Sequence, residues 1–191
     1  MEYINIITHI ILIMSLGWYL ITNLQWYNYK LERVILKHHK WQWHITYFLS
    51  PIVLFYIIPE PYYAAYFFII YMTSFILWNK KLDRAVVLTS RVKRFLAILL
   101  FTTFAMTALC LSSPSCTNMV IFTPLILTYG ISTLLEKIFF ISFKNKGKQR
   151  IKSIAGLRTI AITASYGKTS IKNYLYHVLK NKYKTYKTPR S

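Results

Sequence analysis

Apolar residues in this chain come in long uncharged runs rather than in the stripes that mark amphipathic helices of soluble proteins. Residues 4–22 contain Asn5, Thr8, His9 and Ser15 as polar interruptions and no charge. Further runs cover 41–58, 62–78, 95–111 and 120–135, and Pro59-Glu60-Pro61 ends the second. Each is roughly 16 to 20 residues, close to what a helix needs to cross about 30 Å of hydrocarbon. A helix packed in a soluble bundle keeps a charged face at a 3.6-residue period, and these runs have none. The pattern predicts an α-helical membrane protein with about five transmembrane helices within residues 1–143. Span 1 reads as retained: Glu2 stands where a signal peptide is basic, and bulky Asn23-Leu24-Gln25-Trp26 follows instead of a small-residue cleavage site.

Charge between the runs alternates. Lys30, Arg33, Lys37 and Lys40 follow the first run, and Lys80, Lys81, Arg84, Arg91, Lys93 and Arg94 follow the third. The connections 59–61 and 112–119 carry no Lys or Arg, and the tail after the fifth run is again basic. Under the positive-inside rule this predicts an outer N-terminus and a cytoplasmic C-terminus. Trp26, Trp41, Trp43 and Trp78 lie at span ends, where aromatic belts belong.

Composition sharpens this picture. Among 191 residues, 24 are Lys or Arg and only 5 are Asp or Glu, a formal net charge of +19, yet 55% are hydrophobic. The apolar content excludes disorder, and two cysteines exclude a disulfide-stapled domain. Positive-inside topology accounts for much of the charge, so no nucleic-acid partner is expected. After Glu136 there is no acid at all, so the C-terminal quarter lacks the carboxylate that most hydrolases and metal-dependent transferases place near their chemistry.

The tail has its own pattern. Residues 144–157 read as a basic linker, the inside flank of span 5. Arg158 to Thr163 is a β-branched run suited to a buried parallel strand. Next come Ser165-Tyr166-Gly167-Lys168-Thr169-Ser170 and a helix with Ile171, Tyr174, Leu175, Val178 and Leu179 on one face. Residues 181–183 look like its stop, and 184–187 like the start of a second strand. Strand, tight loop and helix in this order aim backbone N–H groups at an anion. Gly167 permits the turn, Lys168 reaches terminal phosphates, and the Thr169 hydroxyl suits Mg²⁺. Ile162 stands where the full G-x-x-x-x-G-K-[ST] pattern has its first Gly.

Thr163-Ala164-Ser165-Tyr166-Gly167-Lys168-Thr169-Ser170 resembles the T-G-[ST]-x-G-K-T-[ST] nucleotide loop of the Mur ligases. It is most similar to the members that add D-alanyl-D-alanine to a UDP-muramoyl peptide. Their S-x-K-x-x-L continuation is matched by Ser170, Lys172 and Leu175, and their T-P-x-S by Thr188-Pro189-Arg190-Ser191. The resemblance covers residues 155–191. It implies that 158–191 begin an ATP-binding α/β domain, with phosphate held by residues 163–170 and Mg²⁺ by Thr169. It further implies ATP-driven amide-bond formation in peptidoglycan precursor synthesis, at a bacterial cytoplasmic membrane, with UDP-muramoyl peptide and D-Ala-D-Ala as substrates. Ala164 replaces the family's first loop Gly, which matters if φ is positive there and not otherwise. About forty residues bury too little to fold as a domain, so the chain reads as an inactive N-terminal fragment of a longer ligase. The alternative is a non-enzymatic membrane anchor or scaffold whose basic tail binds anionic lipid or nucleic acid.

Other residues carry weaker signals. His38, His39 and His44 lack a Cys or carboxylate partner nearby and read as interfacial polar residues. His9 is either an intramembrane functional group or a neutral imidazole bonded to a neighbouring helix. A Cys110–Cys116 disulfide is not expected, because the pattern puts Cys110 inside span 4. His177 falls on a solvated face.

Overall fold

The computed structural model describes residues 2–38, 40–83, 85–112 and 122–189. His39, Arg84, residues 113–121 (with Cys116 and the start of the fifth run), Arg190 and Ser191 lie outside the described residues. Two compact units emerge, Met1–Ser142 and Phe143–Ser191. No strand is present among the described residues.

In the first unit, α1 (Glu2–Trp26) is followed by the short α2 (Leu31–Leu36). A rod over 42–57 then consists of α3 (Gln42–His44), a π turn (Ile45–Leu49) and α4 (Ser50–Ile57). Its antiparallel partner comprises α5 (Glu60–Tyr66), a second π turn (Phe67–Tyr71) and α6 (Met72–Lys80). The long α7 (Ser90–Ser112) and α8 (Thr123–Lys152) complete the unit, α8 running on into the second. Among the described residues four helices are long and apolar enough to cross a membrane: Ile4–Trp26, Pro61–Lys80, Ser90–Cys110 and Thr123–Lys152.

The expected second span is not among them. At 1.5 Å per residue the 42–57 rod is about 24 Å long, short of the hydrocarbon thickness. Its pairing is nevertheless coextensive with the neighbouring helix. Trp43 meets Trp78 edge-on at 5.7 Å, Tyr47 lies 5.3 Å from Trp78, and Phe55 meets Tyr63 at 5.0 Å. Wherever the second arm of this hairpin reaches, the first arm follows.

An aromatic ladder explains that register. Tyr63, Phe67, Tyr71 and Phe75 recur every four residues and end on Trp78, with consecutive ring centroids 6.0, 5.2, 5.7 and 5.3 Å apart. In a regular α-helix a four-residue repeat drifts about 40° per step. The wider π turn at Phe67–Tyr71 takes up part of that drift and keeps the rings on one face. That face buries against Leu12, Leu16 and Tyr19 of α1, while Val92, Phe95 and Leu99 of α7 join the same core. Gly17 lets α7 approach closely: a Cβ there would overlap the buried Leu99 side chain. Glu136 of α8 pairs with Arg94 and lies 3.7 Å from Arg91 Nε, and Arg91 stacks on Tyr29.

Trp78 departs from the belt expectation. It is buried in the core, and only Trp41 of the four tryptophans is exposed. Three of them still gather at one end of the hairpin, because Trp26 contacts Trp43 and Trp43 contacts Trp78.

The second unit differs from expectation in three ways. Residues 144–152 continue α8 rather than forming a separate linker. Residues 158–164 and 184–189 form no ladder, because a lone strand has no neighbour for its backbone groups. The helix after the loop, α9 (Lys168–Leu179), ends just before the turn at 180–183 as expected. Its apolar face is only partly covered, with Ile171, Tyr174 and Val178 exposed. Without a sheet beneath it, α9 has nothing broad to pack on.

Candidate functional site

The loop before α9 is built around Gly167, which takes φ 75° and ψ 3°, the left-handed region that favours glycine. This conformation reverses the chain after the bends at Ser165 and Tyr166, so that α9 starts at Lys168. The first helical bond runs from the Ile171 N–H to the Gly167 carbonyl at 3.0 Å. The N–H groups of Lys168, Thr169 and Ser170 therefore lie outside the intrahelical ladder, at the positive end of the helix dipole. Among the described residues no side-chain cap is present at this end of the helix. Thr163, Ser165, Tyr166 and the Lys168, Thr169 and Ser170 side chains are exposed, while Ala164 is half-buried. Among the described residues only Asn28 and Tyr29 are non-glycine residues at positive φ. Ala164 therefore avoids the region that demanded glycine, and its methyl group carries no conformational cost.

Nothing lies within 4 Å of where a Cβ on Gly167 would sit, so the loop is open to an approaching anion. Its residues fit a nucleotide phosphate: consecutive N–H groups, one ammonium at Lys168 and one hydroxyl at Thr169. For Mg²⁺ the fit is narrower. Thr169 is the single oxygen among residues 163–170 suggested for the metal, and it would hold Mg²⁺ only together with ligands from elsewhere.

Beside the loop is a cleft of about 260 Å³ lined by Thr169, Lys172, Asn173, Tyr186, Lys187, Thr188 and Pro189. Lys172 Nζ donates to the Thr188 carbonyl at 2.9 Å and to that of Pro189 at 3.4 Å. In the opposite direction Lys187 Nζ donates to Asn173 Oδ1 at 3.0 Å and sits 4.8 Å from the centre of the Tyr176 ring. Sequence reasoning singled out Lys172 and Thr188-Pro189 as separate matches, and here they meet. It missed Lys187, Asn173 and Tyr176, for which no spacing signal exists.

In the first unit His38 and His44 belong to a hydrogen-bonded chain rather than an interfacial cluster. His44 Nε2 donates to the Val34 carbonyl at 2.9 Å, and its Nδ1 is hydrogen-bonded with Tyr19 Oη at 2.8 Å. The Tyr19 carbonyl accepts from Asn23 Nδ2 at 2.8 Å, and Asn23 Oδ1 accepts from His38 Nε2 at 2.9 Å. His38 Nδ1 in turn accepts the Lys40 N–H at 3.1 Å. At His38 the amide N–H of Lys40 only donates, so Nδ1 is the acceptor and Nε2 carries the proton. This network fastens the 27–41 connection to α1. His9 packs edge-on to Phe55 at 6.3 Å, and the exposed His177 fits the solvated face expected for it. Among the described residues no group of three or more His, Cys, Asp or Glu is placed to hold a metal ion.

Cys110 overturns its expectation: it lies within α7 and is disulfide-bonded. The chain's other cysteine, Cys116, lies outside the described residues. A position near the helix end leaves room for what the sequence argument denied.

The chain matches no protein-family model, no curated protein and no solved structure.

Proposed function

We propose that this chain is the membrane-anchored N-terminal part of an ATP-dependent, Mur-type amide ligase, with residues 163–170 as its phosphate loop. One observation carries the reading. Gly167 opens α9 in the left-handed conformation and leaves three uncapped N–H groups beside Lys168 and Thr169, within an eight-residue segment that resembles the family's nucleotide loop. In this reading 158–163 become a strand once neighbouring strands are supplied by the rest of the ligase.

ATP bound there supplies the phosphoryl group that activates a UDP-muramoyl peptide carboxylate for attack by the amine of D-Ala-D-Ala. The backbone N–H groups of 168–170 hold the anion in place. Lys168 neutralises charge on the terminal phosphates, and the Thr169 hydroxyl takes one position on Mg²⁺. Such a loop works only where ATP is, on the cytoplasmic side of a bacterial inner membrane. Two observations support that orientation: basic connections alternate with neutral ones, and the disulfide at Cys110 borders a neutral connection, as suits an oxidising compartment.

The test is Lys168→Ala in the longest reading frame that carries this sequence, with MgATP binding measured in nanodiscs. Binding should weaken about ten-fold or more, the scale of a lost charge-assisted contact. Equal binding by both proteins, or none by the parent, would sink the proposal. Retention of the basic tail on anionic lipid or nucleic acid would then favour the anchor reading.

A further inference from the structure

We infer that Lys172 is a positioning residue, which together with Lys187 clasps the 184–189 segment onto α9 and holds the Thr188–Pro189 peptide across the cleft from Thr169. The inference rests on the phosphate-loop reading only for what the cleft adjoins. Lys172 follows Lys168 and Thr169 by four and three residues, so all three share one side of α9. A free ammonium there would compete with Lys168 for an incoming anion. Instead it is occupied by two successive carbonyls, at 2.9 and 3.4 Å. Pro189 fixes its own φ and restricts Thr188 to extended conformations, so one ammonium can bridge both carbonyls at little entropic cost.

The second half of the clasp runs the other way. Lys187 reaches from the segment to the Asn173 amide and the Tyr176 ring, one turn further along α9. Among the described residues no backbone hydrogen bond ties 184–189 to another segment, and residues 137–191 contain no Asp or Glu. Carbonyl, amide and ring are what the two ammonium groups meet. The segment is held by side chains alone, and removing one donor should release it.

Chymotrypsin reads this release, because a protease needs a detached, extended substrate and Tyr186 is largely exposed. With the whole chain in nanodiscs, cleavage after Tyr186 should run about five-fold faster in Lys172→Met, the scale of one lost hydrogen bond. Lys172→Arg, which keeps the donors, should be cleaved at the parent rate. A Lys172→Met protein cleaved like the parent overturns the proposal, and so does a Lys172→Arg protein cleaved as fast as Lys172→Met. Lys168→Ala should lose MgATP binding without altering this cleavage. If the parent binds no MgATP, the phosphate-loop reading falls while the cleavage rates still decide the clasp.

Discussion

Tyr71 Oη donates to the Tyr47 carbonyl at 3.1 Å, and the residue four places after Tyr47 is Pro51, which has no N–H to offer that carbonyl. One arm of the hairpin thus supplies the donor that proline withholds from the other, as a carbonyl away from water requires. Tyr71→Phe should lower bundle stability by about 1 kcal/mol. Pro51→Ala restores an intrahelical donor, so in that background the same change should cost about half as much or less. Denaturation in mixed micelles measures both. Equal costs in the two backgrounds would show that the bond is not what Tyr71 contributes.

Helix α1 meets α7 through an absence of side chain at Gly17, over which the buried Leu99 lies. Gly17→Val should destabilise the bundle by about 1–3 kcal/mol through overpacking. Leu99→Ala alone should cost about 2–5 kcal/mol by leaving a cavity. Together they should cost clearly less than their sum, because the added methyl groups enter the space that Leu99 vacates. Additive costs would mean that the two residues do not share that space.

The long apolar helices were legible because uncharged length is a one-dimensional property, readable without knowing any partner. Their pairing was not. The four-residue recurrence of Tyr63, Phe67, Tyr71 and Phe75 stands in the sequence, yet it marks a face only because a π turn holds it in line. His38 and His44 looked interfacial because their partners, Asn23 and Tyr19, are 15 and 25 residues away. Around the loop, Gly167 was legible since one residue type suits its backbone. The expected strands were not formed, since a strand depends on neighbours that no local pattern supplies.

At Gly167 the cost of a side chain is conformational alone, because φ is 75° and the space around it is open. Gly167→Ala should disfavour the turn by about 1 kcal/mol, and a β-branched Gly167→Val by more. Gly167→Asn, which tolerates the left-handed region, should be the mildest of the three. MgATP affinity of the membrane-reconstituted protein should follow the order Gly, Asn, Ala, Val. An order following side-chain volume instead would point to steric exclusion of the ligand, contrary to the open surroundings.

Whether the short 42–57 rod crosses the membrane decides on which side the loop lies. Its contacts from Trp43–Trp78 at one end to Phe55–Tyr63 at the other tie it to the full extent of its partner helix. The exposed Lys37 and Tyr62 should therefore face opposite sides, with the exposed Lys146 on the side of Lys37. In a background with both cysteines replaced by serine, an impermeant maleimide should label Tyr62→Cys in intact cells. Lys37→Cys and Lys146→Cys should react only in inside-out vesicles. Labelling of Lys37→Cys and Tyr62→Cys from the same side would make the rod a re-entrant segment. The basic connections would then no longer share one face, and the positive-inside argument for a cytoplasmic phosphate loop would fail with them.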